Sequence, residues 1–380
     1  MSPEQPVWSG PQRVVLTSSG DPLRLRSGAE LAHVEVAYET FGELAPERDN
    51  VVVVCHALTG DAHIAGEGGW WANLVGPGLA VDTDRWFVVC ANLLGGCRGT
   101  TGPSSIDPAT GRVHGLDFPL FEVADQVSVH RRLLDHLGIG RLHALVGGSL
   151  GGMQVLEWLL AEPERTDHAV LVATPARLTT ENIAFSAVAR EAIMSDPDFH
   201  DGRYAEHGVT PRRGLKVARM MAHITYVSAE SLASKFGHRR VPAGPDGAPG
   251  TATLGVDFEV ESYLQHQGES FLDRFDALSY LYLSRALDHF DPLGDPATPS
   301  RLARLAAHGT RVSLTSFDTD WRFSTAQSEP IVTALRAAGV EVDAVELRSP
   351  WGHDSFLLEP PGYHARVRAA LDGVPAVNIR

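Results

Sequence analysis

The chain has few cysteines, a deficit of positive charge and no long apolar run. Its 380 residues include only three cysteines, Cys55, Cys90 and Cys97, too few for a disulfide framework, which indicates a reducing compartment. No apolar stretch reaches the roughly 20 residues of a membrane span and no secretory leader is evident, so the expected location is the cytoplasm. The net charge of -15 disfavours nucleic acid and anionic membranes as partners.

Apolar residues, in contrast, are plentiful. They make up 43% of the chain against 21% charged residues, which is enough for a sizeable core. Two continuous apolar runs, 50–55 and 86–91, are typical of central parallel strands covered on both faces. Strand and helix patterns alternate through residues 1–174 and again through 306–380, which predicts a mostly parallel, doubly wound α/β sheet.

The pattern differs in residues 175–305, which have almost no strand signal and several amphipathic helical segments. A helical block inserted between two sheet strands predicts a lid over a site at the sheet edge. Within this block, the Gly- and Pro-rich residues 242–250 are expected to form a disordered loop.

Residues 147–152, with the sequence GGSLGG, link a strand pattern to a helix pattern and place Ser149 at the turn. Glycines two residues before and after the serine let strand and helix approach closely, as a nucleophile elbow requires. The backbone N–H of Leu150 then supplies half of an oxyanion hole. A glycine-rich helix N-cap is the alternative interpretation, and a downstream acid and base would decide against it.

A candidate acid and base follow in the order serine, acid, histidine that such sheets use at their strand ends. Asp318 and Asp320 follow the predicted strand at 311–317, and His353 follows the next one. His353 would accept the Ser149 proton while an aspartate holds its other ring nitrogen. Strand-end position alone does not choose between Asp318 and Asp320.

The loop after the strand at 51–55 is expected to provide the second oxyanion donor, and Leu58 is the candidate N–H. His56 and His63 lie in and near this loop, but no carboxylate or cysteine completes a usual metal-binding spacing. We therefore expect structural roles for both histidines and no metal site.

Six stretches together resemble the homoserine O-acyltransferases, enzymes of methionine biosynthesis in the α/β-hydrolase superfamily. They are CHALTG at 55–60, NLLGGCRGTTGP at 92–103, GGSLGGMQ at 147–154, FEVESYL at 258–264, RFD at 274–276 and GHD at 352–354. The resemblance covers nearly the whole chain. It implies the α/β-hydrolase fold, with Ser149 as nucleophile, His353 as base and Asp320, rather than Asp318, as acid.

The resemblance also implies the substrates. Acyl-CoA would acylate Ser149, and L-homoserine would then accept the acyl group, with CoA as a co-substrate and no cofactor. Arg219 and Asp354 are implied as ligands of the homoserine carboxylate and ammonium, which suits their charges. Family members are often dimers, which implies a homodimer. Trp70, Trp71 and Trp351 are candidate apolar walls that keep water from the ester.

The acyl group is predicted from Arg322, two residues after the predicted acid. Acetyl-transferring members commonly have an aliphatic residue there and a proline soon after, as in a D-x-Leu-Phe/Tyr-Pro pattern, whereas this chain has a cationic residue and lacks the proline. A guanidinium facing the distal carboxylate of a succinyl group gains a charge-assisted pair, whereas over an acetyl methyl group it carries only its desolvation cost. Arg322 instead pointing to solvent or supporting Asp320 is the competing interpretation. We predict succinyl transfer, with acetyl transfer, a serine acceptor, an esterase and a non-enzymatic binding protein as alternatives.

Overall fold

The computed structural model describes residues 10–241 and 254–374, so the loop predicted at 242–250 lies outside the described residues. Within those ranges the central sheet has eight strands: β1 (Gln12–Val15), β2 (Glu35–Phe41), β3 (Val51–Cys55), β4 (Phe87–Ala91), β5 (Leu142–Gly148), β6 (Thr166–Val172), β7 (Arg311–Phe317) and β8 (Glu341–Leu347). Their order in the sheet is β1-β2-β4-β3-β5-β6-β7-β8. β1 and β2 are antiparallel to their neighbours and the other six strands are parallel, which confirms the predicted sheet.

Helices cover both faces of this sheet. They are α1 (Val123–His136), α2 (Leu150–Ala161), α3 (Thr180–Met194), α4 (Arg212–Tyr226), α5 (Ala229–Lys235), α6 (Glu259–Leu272), α7 (Ala277–Asp288), α8 (Thr298–His308), α9 (Thr325–Ala337) and α10 (Tyr363–Leu371). Side-chain caps set several of the starts: Thr179 accepts the Asn182 N–H before α3, and Asp276 accepts the Ser279 N–H before α7. Three short two-stranded sheets, within residues 23–31, 75–82 and 106–113, lie in the connections between elements of the central sheet.

The apolar runs of the central strands supply two cores, one on each face of the sheet. Along β3, Val51 and Val53 belong to the core beneath α1 and α2, while Val52 and Val54 belong to the core beneath α10. Side chains of a strand point alternately to opposite faces, so a strand buried on both faces needs an unbroken apolar sequence. This is the physical reason why these runs do not alternate with polar residues.

Helices α3 to α7 lie between β6 and β7 in the chain, where the sequence predicts the helical block. α3 packs against α4, and α4 packs against α6. Helix α8 was not predicted, and the predicted limit of the lid at residue 305 falls inside it. Its Leu302 and Leu305 are buried and it packs against α2, so it lies with the α/β layers.

The carboxyl ends of β3, β5, β7 and β8 converge at one edge of the sheet. Connections at this edge of an open parallel sheet form the usual ligand crevice. None of the helices in the described part of the chain is long and apolar enough to cross a membrane. Cys55 and Cys90 are buried in strands β3 and β4, and burial raises the pKa of Cys55 to about 12, so its thiol is neutral and packs as an apolar group.

Candidate active site

The turn between β5 and α2 holds Ser149 in a strained conformation, with φ 59° and ψ -125°. A Cβ atom at Gly151 would lie 2.0 Å from the carbonyl oxygen of Cys55, and one at Gly147 would lie 2.3 Å from the backbone of Gly151. Only glycine fits at these two positions, because α2 crosses so close to β3 and β5. The Ser149 N–H donates to the carbonyl of Val172 at 2.9 Å, which ties the strained residue to β6.

Ser149, His353 and Asp320 form a continuous hydrogen-bonded chain. The Ser149 hydroxyl lies 2.8 Å from His353 Nε2, and His353 Nδ1 lies 2.7 Å from Asp320 Oδ2. The second Asp320 oxygen accepts the Phe323 N–H at 2.8 Å, which fixes the carboxylate. All three residues are buried, with at most 9% of their surface exposed. Asp318 lies elsewhere, where it accepts the Ser349 N–H at 2.9 Å.

Two backbone N–H groups border the serine. Leu150 is the first residue of α2, so its N–H has no carbonyl one turn earlier in the helix. Leu58 lines the same cavity as Ser149. The Gln154 amide donates to the carbonyl of His56 at 3.0 Å and to that of Leu150 at 3.3 Å, which links the two segments that carry these N–H groups.

His56 supports the loop that carries Leu58. The Leu93 N–H donates to His56 Nε2 at 3.3 Å, so the proton resides on Nδ1, which donates to the Ala57 carbonyl at 2.8 Å. Burial lowers the pKa of His56, which favours this neutral form. His63 contacts Glu39 at 3.0 Å, and no group of three or more potential metal ligands occurs among the described residues.

A cavity of about 230 Å³ opens at Ser149. It is lined by the loop 57–60, by the triad members Ser149 and His353, and by Trp70, Arg219, His223, Tyr226, Arg274, Leu287, Arg322, Phe323, Asp354, Phe356 and Leu357. Trp70 is therefore one of its walls, as predicted. Trp71 is fully buried behind Trp70, with the ring centroids 4.7 Å apart, and Trp351 lies outside the lining that the described residues form. The prediction for these two tryptophans is wrong, since neither lines the cavity, and the Trp71 ring packs against Trp70 and Phe356 instead.

Arg219 on α4 and Asp354 after His353 face the same cavity. The Arg219 guanidinium lies over the Phe271 ring at 4.6 Å and donates to the Thr59 hydroxyl at 3.4 Å. Burial raises the pKa of Asp354 to about 6, although the positive charges of His353 and Arg219 counteract this. Arg219 and Asp354 thus place a cation and a titratable carboxylate in the cavity beside the nucleophile.

Arg322 is 9% exposed, so it does not point to solvent. It donates to the Thr225 hydroxyl at 2.7 Å, and its guanidinium lies 5.3 Å from the Tyr226 ring centroid. Within the described part of the chain, Arg322 forms no hydrogen bond or ion pair with the Asp320 side chain. Arg322 is therefore a buried cation of the cavity wall that no described carboxylate neutralises.

The structure adds cavity residues that the sequence reasoning missed. Two of them, His223 and Tyr226, lie on α4, and Arg274 lies in the turn after α6. Burial, followed by the positive charge of Arg219, lowers the pKa of His223 to about 3, so this ring is neutral. Arg274 begins the RFD stretch used for the resemblance, which was the available signal for it. No sequence pattern distinguished the other two from ordinary helix residues.

Comparison with known proteins matches this architecture. A model of the alpha/beta hydrolase fold matches residues 50–360. A homoserine O-succinyltransferase of Nocardioides sp. is 64% identical over 366 residues, covering 95% of this chain and 97% of that protein. The chain belongs to the homoserine O-acyltransferase family.

Two further members of this family illustrate its range. A homoserine O-acetyltransferase of Rhodospirillum rubrum is 49% identical, covering 97% of this chain and 95% of its own. The crystal structure of homoserine O-acetyltransferase from Bacillus anthracis superimposes with a TM-score of 0.84 at 26% identity, covering 95% of this chain and 97% of that one. The family therefore includes proteins named for either acyl group, and high identity extends to both.

Proposed function

We propose that this protein transfers an acyl group, by preference succinyl, from acyl-CoA to the side-chain hydroxyl of L-homoserine, the first committed step of methionine biosynthesis. The observation that carries the proposal is the buried chain Ser149–His353–Asp320 opening into a cavity that also presents Arg219 and Asp354. A hydrolase needs only the first three groups. The additional cation and carboxylate suit an amino-acid acceptor.

In the first half-reaction the Ser149 oxygen attacks the thioester carbonyl while His353 Nε2 takes the hydroxyl proton. Asp320 holds the imidazole through Nδ1–H and stabilises its protonated form. The backbone N–H groups of Leu58 and Leu150 stabilise the oxyanion. Collapse of the tetrahedral intermediate breaks the C–S bond, His353 returns the proton to the CoA sulfur, and an acyl ester remains on Ser149.

In the second half-reaction homoserine replaces CoA. Arg219 binds its carboxylate and Asp354 binds its ammonium, so the side-chain hydroxyl is directed at the ester. His353 removes the hydroxyl proton, the oxygen attacks the acyl carbon, and the proton passes back to Ser149 as the C–O bond of the acyl-enzyme breaks. Trp70 and the helices above the site keep water from competing.

The preference for succinyl is supported by Arg322. A buried guanidinium beside aromatic rings and a single hydroxyl has part of its desolvation cost uncompensated, and a carboxylate at the distal end of a succinyl group would offset that cost. The relative at 64% identity is named a succinyltransferase, which agrees with this preference. Acetyl transfer is the second candidate, because relatives at 49% identity are named acetyltransferases.

The test measures release of free CoA thiol with and without L-homoserine, and identifies the acylated amino acid by mass spectrometry. We expect release to depend on homoserine and to vanish in Ser149→Ala. Equal release of CoA thiol without homoserine would indicate an esterase instead. If serine is acylated as efficiently as homoserine, the acceptor assignment is wrong. If a fluorophosphonate fails to label Ser149 in the wild type, a non-enzymatic binding protein becomes the better interpretation.

The acyl group is tested by comparing kcat/KM for succinyl-CoA and acetyl-CoA. We expect the wild type to prefer succinyl-CoA and Arg322→Leu to reverse or abolish that preference by about a hundredfold, since a buried ion pair to the substrate is lost. A wild type that prefers acetyl-CoA, or a ratio that Arg322→Leu leaves unchanged, would contradict the assignment.

We further propose a cytoplasmic homodimer without a bound cofactor. Val188 and Met194 on α3, and Val217 and Ile224 on α4, are each 44–52% exposed, which favours an interface on these helices. Light scattering on the wild type and on the double variant Val188→Glu/Val217→Glu tests the assembly. Dimeric mass for the wild type and monomeric mass for the variant are expected.

A further inference from the structure

Three arginines of the cavity form a row linked by two aromatic rings. The Tyr226 ring contacts both Arg322 and Arg219, whose guanidinium carbons lie 5.3 and 5.9 Å from its centroid. The Phe271 ring contacts both Arg219 and Arg274 in the same way, at 4.6 and 5.9 Å. An aromatic ring attracts a neighbouring cation, so the rings help to hold the guanidinium groups in place. Apart from one hydrogen bond each from Arg322 to Thr225 and from Arg219 to Thr59, this leaves N–H groups to bind anions.

This row has an inner and an outer end. Arg322 is buried next to the triad acid, Arg219 is half-buried, and Arg274 is exposed. The turn that carries Arg274 contacts the loop after β4 through Cys97, whose thiol lies 3.9 Å from the Arg274 carbonyl oxygen. Arg98 follows Cys97 and is also exposed, and it lies 3.9 Å from Asp61. The loop that carries Arg98 therefore lies against the turn that carries Arg274, close enough for the charge of Arg98 to act on Arg274.

The three arginines of this row have no direct ion-pair partner within the described residues, although the charges of Asp354 and Asp61 lie close enough to act on Arg219 and Arg274. No carboxylate lies within ion-pair distance of Arg322, Arg219 or Arg274 in that part of the chain. Burial, followed by the like charges of Arg219 and Arg98, lowers the pKa of Arg274. A protein with a net charge of -15 has many acids available, so three cations without one indicate anionic ligands.

We propose that Arg274, together with Arg98, binds the phosphate groups of CoA at the cavity mouth. The inference rests on the proposed function, which assigns Arg322 to the distal acyl carboxylate and Arg219 to the homoserine carboxylate. Arg274 remains without a ligand in that assignment. The thioester of acyl-CoA must reach Ser149, so the phosphates, which lie at the far end of the pantetheine arm, must lie outward, where Arg274 and Arg98 are exposed. A guanidinium binds phosphate oxygens with paired N–H groups.

The test compares two acyl donors that share the thioester and the pantetheine arm and differ in the phosphates: succinyl-CoA and succinyl-pantetheine. For Arg274→Gln we expect KM for succinyl-CoA to rise about fivefold to tenfold, as loss of a charge-assisted hydrogen bond predicts. KM for succinyl-pantetheine, KM for homoserine and kcat should stay at the wild-type values. Arg274→Lys should recover part of the affinity, and Arg98→Gln should show a smaller effect in the same direction.

Salt provides a second readout. Exposed charge pairs are screened by salt, so KM for succinyl-CoA should rise with KCl more steeply in the wild type than in Arg274→Gln. The charge-matched control is Arg304→Gln. Arg304 pairs with Glu164 at 2.7 Å, and Glu164 lies two residues before β6, at the opposite edge of the sheet, so this variant should resemble the wild type with both donors.

Calorimetric titration with CoA itself requires no turnover and separates this inference from the proposed reaction. Weaker binding of CoA to Arg274→Gln, with unchanged binding of pantetheine, supports the inference even if homoserine proves to be the wrong acceptor. An equal effect on both donors, or an effect confined to KM for homoserine, overturns it, because Arg274 would then act on a group other than the phosphates. Absence of homoserine acylation by the wild type would instead overturn the proposed function alone.

Discussion

Arg322 donates a hydrogen bond of 2.7 Å to the hydroxyl of Thr225, and this bond joins the loop after β7 to helix α4. Thr225 is 1% exposed and its hydroxyl also donates to the carbonyl of Ala222 at 2.8 Å. The helix therefore orients the one cation proposed to recognise the acyl group. We therefore expect donor selectivity to depend on this contact between the loop and the helix as well as on Arg322 itself.

Thr225→Val removes the hydroxyl and keeps the shape of the side chain. We expect KM for succinyl-CoA to rise about fivefold, since Arg322 loses a hydrogen bond that orients it, while KM for acetyl-CoA changes little. Steady-state kinetics with both donors measures this, and Thr225→Ser, which retains the hydroxyl, serves as the control. A parallel change for both donors would mean that Thr225 contributes only to packing.

The reaction of the acyl-enzyme with homoserine should depend on the ionisation of Asp354, whose pKa burial raises to about 6. The carboxylate is charged above that pH and neutral below it, so binding of the homoserine ammonium weakens as the pH falls through about 6. Dividing kcat/KM for homoserine by kcat/KM for acyl-CoA compares the acceptor step with a donor step to which Asp354 is not assigned. This ratio should fall below pH 6 in the wild type.

Asp354→Asn provides the comparison for that pH profile. We expect kcat/KM for homoserine to fall about a hundredfold, as loss of a buried charge partner predicts, with the acyl-CoA half-reaction retained. The ratio of the two constants should then be independent of pH between 5 and 8. A ratio that still falls at low pH in this variant would show that another group is responsible.

Gly151→Ala should destabilise the protein and abolish activity. Its Cβ atom would lie 2.0 Å from the carbonyl oxygen of Cys55, a backbone group that cannot move aside, so we expect a loss of about 3 kcal/mol in the free energy of unfolding. Urea unfolding measures this change. Gly140→Ala is the matched control, because a Cβ atom there meets nothing within 4 Å and its effect should stay within about 0.5 kcal/mol.

Glu157 on α2 should reduce stability at neutral and alkaline pH. The residue is 8% exposed, and burial raises its pKa to about 7 from an ordinary value of 4.5. Below pH 4.5 the carboxyl is protonated in both the folded and the unfolded protein. Between pH 4.5 and 7 only the unfolded protein releases the proton, so stability falls as the pH rises, by about 3 kcal/mol in all.

Glu157→Gln should remove this dependence on pH. Unfolding in urea is expected to give nearly equal stabilities for variant and wild type at pH 4.5, and a gain for the variant of about 2 kcal/mol or more at pH 8. Glu164→Gln is the contrasting control. The hydrogen bond from Arg304 lowers the pKa of the Glu164 carboxyl, so replacing this residue should bring no gain in stability at high pH. An advantage of Glu157→Gln that is the same at both pH values would contradict this account.

Local sequence determined the elements and the elbow. The apolar runs that become β3 and β4 need no partner to be recognised, since burial on both faces requires continuous apolar residues. Ser149 between its glycines was recognisable because a strained turn restricts the residue types that can occupy it. The order of serine, acid and histidine followed from the position of each loop at a strand end.

Long-range packing decided the rest. Asp318 and Asp320 occupy the same strand-end loop, and only the folded chain brings Asp320 to 2.7 Å from His353 and turns Asp318 toward Ser349. Trp71 and Trp351 were indistinguishable from Trp70 in sequence, because exclusion from a cavity depends on neighbours far along the chain. The arginine row arises for the same reason: Arg219, Arg274 and Arg322 come from separate elements, and their alignment exists only where α4, α6 and the loop after β7 meet.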